Sequence, residues 1–256
     1  MEKNISILPG HEVLAMAGKT ILRPGGLKAT EQLFSWAGFE KQKTLLELAS
    51  SFGHNLEVLS NKFGLVVTGI DKNESSVHRA REKLKNASKP INIAEGDILN
   101  LDEMNGTFDY VLAEAILTMQ SDNHRKKIIE SVYRKLNDDG EILIHELVFK
   151  QDEKALHKKL SQVIKVNANA MTESGWKSLL TESGFTINEV ETGPMSLLTP
   201  DGLLRDEGFF GIMRIMLNVM TNVELRKRIL DMRHFFHSNA DKLSYIIISA
   251  RKQGVV

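Results

Sequence analysis

Acidic side chains follow three apolar segments, and their spacing could hold a nucleotide. Two of these segments end in Glu47 and Asp71, and a third, which begins at Ile91, is followed by Asp97. In α/β nucleotide-binding folds, an acidic residue at the end of the second strand, about 20 residues past the first turn, binds ribose hydroxyls. Asp71 has this spacing from the turn after Glu47, so the pattern predicts a ribose-binding carboxylate.

The turn after Glu47 consists of small residues that would let a ligand approach the backbone. Residues 49–53 read ASSFG, so the turn contains a single glycine and lacks the dinucleotide pattern G-x-G-x-x-G. Alanine and serine are small, but they do not share the freedom of glycine to adopt positive φ angles. The turn therefore predicts nucleotide binding through a different motif.

Residues 43–71 resemble the first two motifs of class I S-adenosylmethionine-dependent methyltransferases. That family has the segment E/D-x-G-x-G-x-G, then a helix, then a strand that ends in Asp or Glu. Glu47 occupies the acidic position, and Ala49, Ser51 and Gly53 occupy the three glycine positions. The resemblance implies that S-adenosyl-L-methionine is the cofactor and that Asp71 accepts hydrogen bonds from its ribose.

The resemblance covers residues 43–192 and the last strand, and it implies further contacts with the cofactor. Asp97 would receive the adenine amino group, and Ile98 would form a wall for the ring, although an Asp after a strand is also a common turn residue. Glu114 ends a strand that opens with the family's F-D-x-V pattern, so it should face the site. The predicted set of cofactor-binding residues is Glu47, Ala49, Gly53, Asp71, Lys72, Asp97, Ile98, Glu114 and Gly26.

A Pro-Gly-Gly turn at residues 24–26 has two interpretations. It could be a loop before a packing helix, which the pattern predicts over residues 28–39. Alternatively, the backbone of Gly26 and the helix N-terminus could cover the cofactor carboxylate. Similar segments precede the first motif in some small-molecule methyltransferases.

His145 and Glu146, late in the fifth predicted strand, are the candidate catalytic residues. Methyl transfer from a sulfonium is a direct displacement, so proximity and orientation can supply most of the catalysis. A base is needed only where the acceptor must lose a proton. A strand histidine is more often a satisfied core residue, and His11, His234 and His237 could also reach a covered site. No metal-ligand spacing occurs, so no metal is predicted.

Alternating strand and helix patterns predict the scaffold. We expect an α/β fold with a doubly wound, mainly parallel seven-stranded sheet and helices on both faces. The resemblance implies that the last strand runs antiparallel to the others. The apolar runs that predict strands cover residues 44–47, 65–70, 91–98, 108–115, 140–149, 186–191 and 244–250.

We predict one methyltransferase-like domain over residues 1–256, with a helical insertion before its last strand. Residues 1–42 form an N-terminal helical cap, residues 43–194 and 244–256 form the core, and residues 195–243 form the insertion. The insertion is rich in Met and Phe. It could close the edge of the core, form a dimer face, or line a pocket for an apolar substrate through residues such as Phe209 and Met216.

Composition narrows the classes of partner. Lys+Arg and Asp+Glu both number 33 and the pI is about 7.1, so the chain has no overall charge that would attract nucleic acid or an anionic membrane. It has no cysteine, which excludes disulfides and thiolate catalysis. The first residues lack a signal-peptide pattern, and no apolar run reaches membrane-spanning length. We therefore expect a cytoplasmic protein without nucleic-acid or membrane partners.

Three functions fit these patterns. The first is S-adenosylmethionine-dependent methyl transfer to a small, apolar or aromatic acceptor. The second is a non-catalytic protein of the same fold that binds S-adenosylmethionine or another nucleotide, since the glycine loop is altered. The third is another nucleotide-dependent enzyme, such as a dehydrogenase.

Overall fold

The computed structural model describes residues 4–87 and 89–254, and a β-sheet runs through its centre. The strands are β1 (Thr44–Leu48), β2 (Val66–Asp71), β3 (Asn92–Glu95), β4 (Phe108–Glu114), β5 (Leu136–Phe149), β6 (Met171–Thr172), β7 (Phe185–Pro194) and β8 (Leu243–Lys252). The helices are α1 (Gly10–Ala17), α2 (Gly26–Trp36), α3 (His54–Val58), α4 (Glu74–Leu84), α5 (Asp122–Lys135), α6 (Lys154–Ile164), α7 (Glu173–Glu182), α8 (Pro200–Thr221) and α9 (Val223–Ser238).

The sheet is mainly parallel, with the strand order β3-β2-β1-β4-β5-β8-β7. Strands β1 to β5 pair in parallel, whereas β8 runs antiparallel to both β5 and β7. From β1 the chain moves outward to β2 and β3, and then returns to the other side of β1 as β4. In open α/β sheets, ligands bind beyond the carboxyl ends of the strands at such a reversal.

The predicted fold class is confirmed, and the strand count differs by one. The additional strand, β6, pairs its two residues in parallel with Val148 and Phe149 at the end of β5. Thr172 in β6 also caps helix α7 by accepting a hydrogen bond from the backbone N–H of Gly175. A strand of two residues has no alternating pattern, so sequence periodicity does not reveal it.

Helices cover both faces of the sheet because successive strand residues point to opposite sides. In β1, Leu45 joins a buried cluster with Leu33 of α2, on the face that also carries α3 and α4. Its neighbour Leu46 joins a second cluster with Ile128 of α5 and Trp176 of α7. Both faces of β1 are therefore buried, as a doubly wound sheet requires.

The insertion before β8 is helical, as predicted, and its two helices pack on the N-terminal cap. Val13 and Leu14 of α1 are buried in one cluster with Leu225 and Met232 of α9. Helix α8 adds partly buried contacts through Ile215 and other residues of its inner face. The first and last helices of the chain thus form one layer beyond the strands.

The outer face of α8 is apolar and exposed. The helix bends at Gly208, whose φ is 65° and ψ is 177°. Beyond the bend, Phe209 and Met216 are 66% and 52% exposed. The prediction that these two residues line an acceptor cavity was wrong, because the opposite face of α8 is the one that packs inward. The alternative that this face of α8 forms a dimer contact stays a prediction. Within the two described ranges, no helix is both long and apolar enough to cross a bilayer.

Candidate functional site

A cleft of about 530 Å³ opens beyond the carboxyl ends of β1, β2 and β4. Six of the predicted cofactor-binding residues line it, and they come from four different loops or strand ends: Ala49, Asp71, Lys72, Asp97, Ile98 and Glu114. The structure therefore brings most of the predicted site together. Glu47, Gly53 and Gly26 do not line the cleft, and each has another position that is described below.

The loop after β1 adopts left-handed backbone at all three positions that correspond to glycines in the motif. The φ angle is 51° at Ala49, 48° at Ser51 and 67° at Gly53. Residues with a Cβ are disfavoured there by roughly 1–2 kcal/mol each. The loop thus keeps a backbone that favours glycine although two of the glycines are absent.

Asp71 fixes this loop from the end of β2. Its Oδ2 accepts a hydrogen bond from the backbone N–H of Ser51 at 2.9 Å, and its Oδ1 accepts one from the backbone N–H of Asn73 at 2.8 Å. Each carboxylate oxygen has a further acceptor direction. Asp71 can therefore hold the loop and still accept a hydrogen bond from a ligand in the cleft.

Gly53 lies behind the cleft, where it starts helix α3. A Cβ at this position would come within 2.6 Å of Leu84 Cδ1, and the φ angle is positive. Both the space and the backbone therefore favour glycine at this position. Gly53 therefore contributes to the site indirectly, because its backbone conformation sets the path of the loop that lines the cleft.

Asp97 and Ile98 form the far wall of the cleft. Asp97 Oδ1 accepts a hydrogen bond from the backbone N–H of Leu99 at 2.9 Å, which caps the short 3-10 helix Ile98–Glu103. The Ile98 side chain is buried but borders the cleft. This wall thus combines a carboxylate with an apolar surface.

Glu114, at the end of β4, is the centre of a buried polar network that the sequence did not predict. Its carboxylate pairs with Arg23 and accepts hydrogen bonds from Thr30 Oγ1 at 2.5 Å and Asn55 Nδ2 at 2.6 Å. Burial acts to raise the pKa of Glu114, but the charge of Arg23 and the hydrogen bond from His145 outweigh it and lower the pKa to about 2. Glu114 is thus an ionised residue whose main contacts lie within the protein.

His145 belongs to the same network and has both ring nitrogens occupied. The backbone N–H of Gly25 donates to His145 Nε2 at 3.0 Å, so the proton lies on Nδ1, which donates to Glu114 Oε1 at 2.9 Å. Burial lowers the pKa of His145, even though Glu114 acts to raise it. Of the two interpretations that the sequence allowed for His145, this geometry matches a core histidine whose hydrogen bonds are satisfied. The hydrogen bond from Gly25 also fixes the Pro-Gly-Gly turn to the sheet.

Glu146 is buried and also fully engaged. Its Oε1 accepts hydrogen bonds from the backbone N–H groups of Ile116 and Leu117, and its Oε2 accepts from the N–H and hydroxyl of Thr118. Burial raises the pKa of Glu146, and these four donors oppose the rise. The contacts of Glu146 position the segment after β4. A role as catalytic base for Glu146 or for His145 stays a prediction, and the hydrogen bonds of both side chains disfavour it.

Glu47, at the end of β1, has one carboxylate oxygen without a partner. Its Oε1 accepts a hydrogen bond from Asn55 Nδ2 at 2.7 Å, whereas Oε2 is buried and makes no hydrogen bond to the residues described. Burial and the nearby charge of Glu114 raise the pKa of Glu47 to about 8. A buried polar atom that is left unsatisfied is costly, so this oxygen is suited to a partner that the described residues do not supply.

The N-terminus of α2 has a partner within the protein. Asp206 of α8 accepts a hydrogen bond from the backbone N–H of Leu27 at 3.0 Å, and a Cβ at Gly26 would lie 2.7 Å from its carboxylate oxygens. The expectation that Gly26 and this helix N-terminus cover a cofactor carboxylate is therefore not supported. The packing-loop interpretation describes the turn better.

A second, smaller cavity of about 100 Å³ adjoins the cleft. Its wall is mainly apolar and includes Leu147 of β5 and four residues of the insertion, which are Met195, Leu197, Met232 and Phe236. Five residues line both spaces: His11, Leu22, Ala115, Met119 and Val166. Met232 and Phe236 thus belong to the Met and Phe residues of the insertion that the sequence offered as an apolar wall, whereas Phe209 and Met216 do not line this cavity.

Comparisons with known proteins agree with this geometry. A family model described as "Methyltransferase domain" matches residues 45–140. An uncharacterized protein of Haemophilus influenzae is 33% identical over 246 residues, which cover 95% of this chain and 98% of that protein. Carboxy-S-adenosyl-L-methionine synthase of Campylobacter concisus is 30% identical over 115 residues, or 44% of this chain and 48% of that enzyme.

A solved structure shows the same fold with a ligand. The S-adenosylmethionine-dependent methyltransferase of Geobacter sulfurreducens, in complex with S-adenosyl-L-homocysteine, superposes with a TM-score of 0.70. The match covers 94% of this chain and 98% of that one, at 16% sequence identity. At this level of identity the likeness concerns the fold.

Proposed function

Because the chain belongs to the class I S-adenosylmethionine-dependent methyltransferases, we propose that it methylates a small, apolar or aromatic molecule. The observation that carries the proposal is the junction of a polar cleft with an apolar cavity. Acidic and small residues that match the family's cofactor motifs line the first, and apolar side chains line the second. A pocket that is mainly apolar with a few polar groups is typical of small-molecule sites.

Residues of this chain fit S-adenosylmethionine in three respects. Asp71 and Asp97 supply carboxylates to the cleft, which suit ribose hydroxyls and an adenine amino group. Ile98 offers an apolar surface between them. Glu47 does not line the cleft, but its unpartnered Oε2 can pair with a cationic amino group, whose charge would lower the raised pKa of this carboxyl. When bound, the cofactor supplies a methyl group on a positively charged sulfur.

The protein contributes the fixed position of the reacting groups. Ala115 and Met119 lie after β4 and line both the cleft and the cavity, so they mark where acceptor and cofactor meet. Glu146 holds this segment in place through its hydrogen bonds to three consecutive backbone N–H groups. Rate acceleration by orientation depends on such fixed geometry.

Calorimetry with three ligands tests the proposal. We expect S-adenosylmethionine and S-adenosylhomocysteine to bind and NAD not to bind, because the loop lacks the dinucleotide pattern. Binding of NAD with comparable affinity would favour a dehydrogenase. No binding of either sulfur compound at about millimolar concentration, where the free energy of binding is only about −4 kcal/mol, would contradict the function.

Replacing Asp71 by alanine should weaken binding of S-adenosylhomocysteine by about 1.5–3 kcal/mol, which is typical of hydrogen bonds to a charged acceptor. The matched control is Glu74→Ala, which removes an exposed carboxylate three residues away that does not line the cleft. The control should bind normally in the same calorimeter. Equal affinities in Asp71→Ala and the wild type would exclude Asp71 as a ribose ligand.

Restoring glycine at both Ala49 and Ser51 should leave the affinity for S-adenosylhomocysteine within about tenfold of wild type, or 1.4 kcal/mol. Both residues already have the positive φ angles that glycine adopts without strain. For the free energy of unfolding, relief of backbone strain favours the double variant, whereas the greater freedom of glycine in the unfolded chain opposes it. A larger loss of affinity, measured by calorimetry, would mean that the alanine methyl or serine hydroxyl contacts the cofactor.

A further inference from the structure

His11 lies where the cleft meets the apolar cavity. It is the second residue of α1, and it lines both spaces. The other four residues that line both are Leu22, Ala115, Met119 and Val166. His11 is therefore the one titratable side chain among the five residues at the junction.

Contacts at both ends of α1 hold His11 in this place. At the C-terminal end, Arg214 and Asn218 of α8 donate hydrogen bonds to the carbonyl oxygens of Gly18 and Ala17, at 2.7 and 3.0 Å. At the N-terminal end, Gly10 packs so closely on α9 that a Cβ would lie 3.0 Å from the sulfur of Met232. The helix is thus fixed against the insertion, while the imidazole makes no hydrogen bond to any described residue.

The surroundings favour a neutral imidazole. The His11 side chain is exposed at the junction of the two spaces, and partial desolvation there lowers its pKa, whereas the carboxylates of Glu12 on its own helix and Asp71 at the end of β2 act to raise it. Other charged groups that border the two spaces are Lys72, Asp97, Glu114 and Glu146. A neutral imidazole has a free lone pair and can accept a proton.

The cavity itself restricts the kind of acceptor. Its volume of about 100 Å³ is below the roughly 150 Å³ of an engineered apolar cavity that holds benzene, so one ring fits only if part of it reaches into the adjoining cleft. Its charged lining residue, Glu146, already accepts four hydrogen bonds through its two oxygens. A cationic amine would therefore lie in the cavity without a free carboxylate, which is unfavourable.

We propose that His11 accepts the proton of a hydroxyl group on the methyl acceptor, and that the acceptor is a neutral phenol whose ring occupies the apolar cavity and part of the adjoining cleft. This inference rests on the proposed function and names the substrate class of the same site. The hydroxyl oxygen forms a bond to the methyl carbon, and the carbon–sulfur bond breaks with its electron pair left on sulfur. The hydroxyl proton goes to a ring nitrogen of His11.

Binding of p-cresol and toluene tests the contact without any reaction. These probes differ by the hydroxyl group. Calorimetry should show that the wild type binds p-cresol at least about fivefold more tightly than toluene, and that His11→Ala loses this preference while its toluene affinity stays within about twofold. The matched control is His234→Ala, which changes an exposed histidine on α9 that lines neither space. The control should keep the preference.

A second variant separates proton transfer from hydrogen bonding. His11→Gln can still hydrogen-bond to a hydroxyl but cannot accept its proton, so p-cresol affinity should stay within about threefold of wild type. The rate of S-adenosylhomocysteine formation from S-adenosylmethionine and p-cresol should fall about 100-fold or more. The rise of the wild-type rate with pH, as His11 loses its proton, should be absent from this variant.

Failure of this inference can be told apart from failure of the function. If S-adenosylhomocysteine binds but the preference for p-cresol is the same in the wild type and His11→Ala, the assignment of His11 is wrong and the function stands. If neither probe binds in the presence of S-adenosylhomocysteine, the phenol class is wrong. If S-adenosylhomocysteine itself does not bind, the function falls, and this inference falls with it.

Discussion

Replacing Arg23 by alanine is expected to lower the free energy of unfolding by about 3–5 kcal/mol. The Arg23 guanidinium is buried and serves three partners, which are the Glu114 carboxylate, Thr30 Oγ1 at 3.1 Å and Asn55 Oδ1 at 2.9 Å. Its removal would leave the ionised Glu114 without a neighbouring cation. An uncompensated charge of this kind is far more costly than the loss of an exposed pair.

Urea unfolding of two variants checks this expectation. Arg134→Ala is the matched control, because Arg134 pairs with Asp102 at 2.7 Å on the surface, with about half of each side chain exposed. That loss should cost less than about 1 kcal/mol. If Arg23→Ala costs no more than Arg134→Ala, the buried pair does not stabilise the folded protein as its geometry indicates.

Glu47→Gln is expected to flatten the dependence of stability on pH. Burial raises the pKa of Glu47 from 4.5 to about 8, so in this range the folded protein holds a proton that the unfolded chain has lost. The wild-type free energy of unfolding should then fall by about 1.4 kcal/mol per pH unit through this group. Glutamine resembles the protonated carboxyl and cannot ionise, so the variant should lack this contribution.

Denaturant unfolding at about pH 6 and about pH 8 measures the difference. The wild type should lose about 2–3 kcal/mol more than Glu47→Gln between these values. Both proteins share every other titrating group, so the comparison isolates Glu47. Parallel pH dependence in the two proteins would mean that Glu47 is ionised in the folded state, and that the unpartnered Oε2 is hydrated rather than free for a ligand.

Sequence reasoning located residues at the cleft where the signal is local. Asp71 follows the loop at residues 49–53 by a fixed interval, and Asp97 and Ile98 lie within three residues of the end of β3. Their places depend only on where a strand ends, and strand ends are readable from apolar runs. The fold class rests on the same regularity, because strands that alternate with helices permit few arrangements.

The rest depends on contacts between distant segments. The hydrogen bond from Gly25 to His145 joins residues 120 positions apart, and the pair of Arg23 with Glu114 joins residues 91 apart. No periodic pattern in the sequence indicates such pairs. The one local signal is that Arg23 directly follows two apolar residues, Ile21 and Leu22, which is consistent with a buried, paired arginine. The sidedness of α8 was equally hidden, since its inner Ile215 and its outer Met216 are both apolar.

The way the insertion holds the N-terminal segment sets the order in which the protein can assemble on the ribosome. Glu207 binds the backbone N–H groups of Thr20 and Ile21, and 187 residues separate it from Thr20. At about 5–20 residues per second, the ribosome needs roughly 10–40 s to supply that partner. Strand β8, which lies between β5 and β7, is made later still. The contact between Thr20 and Glu207 therefore forms only after α8 has been made, whereas Arg23 can pair with Glu114 much earlier.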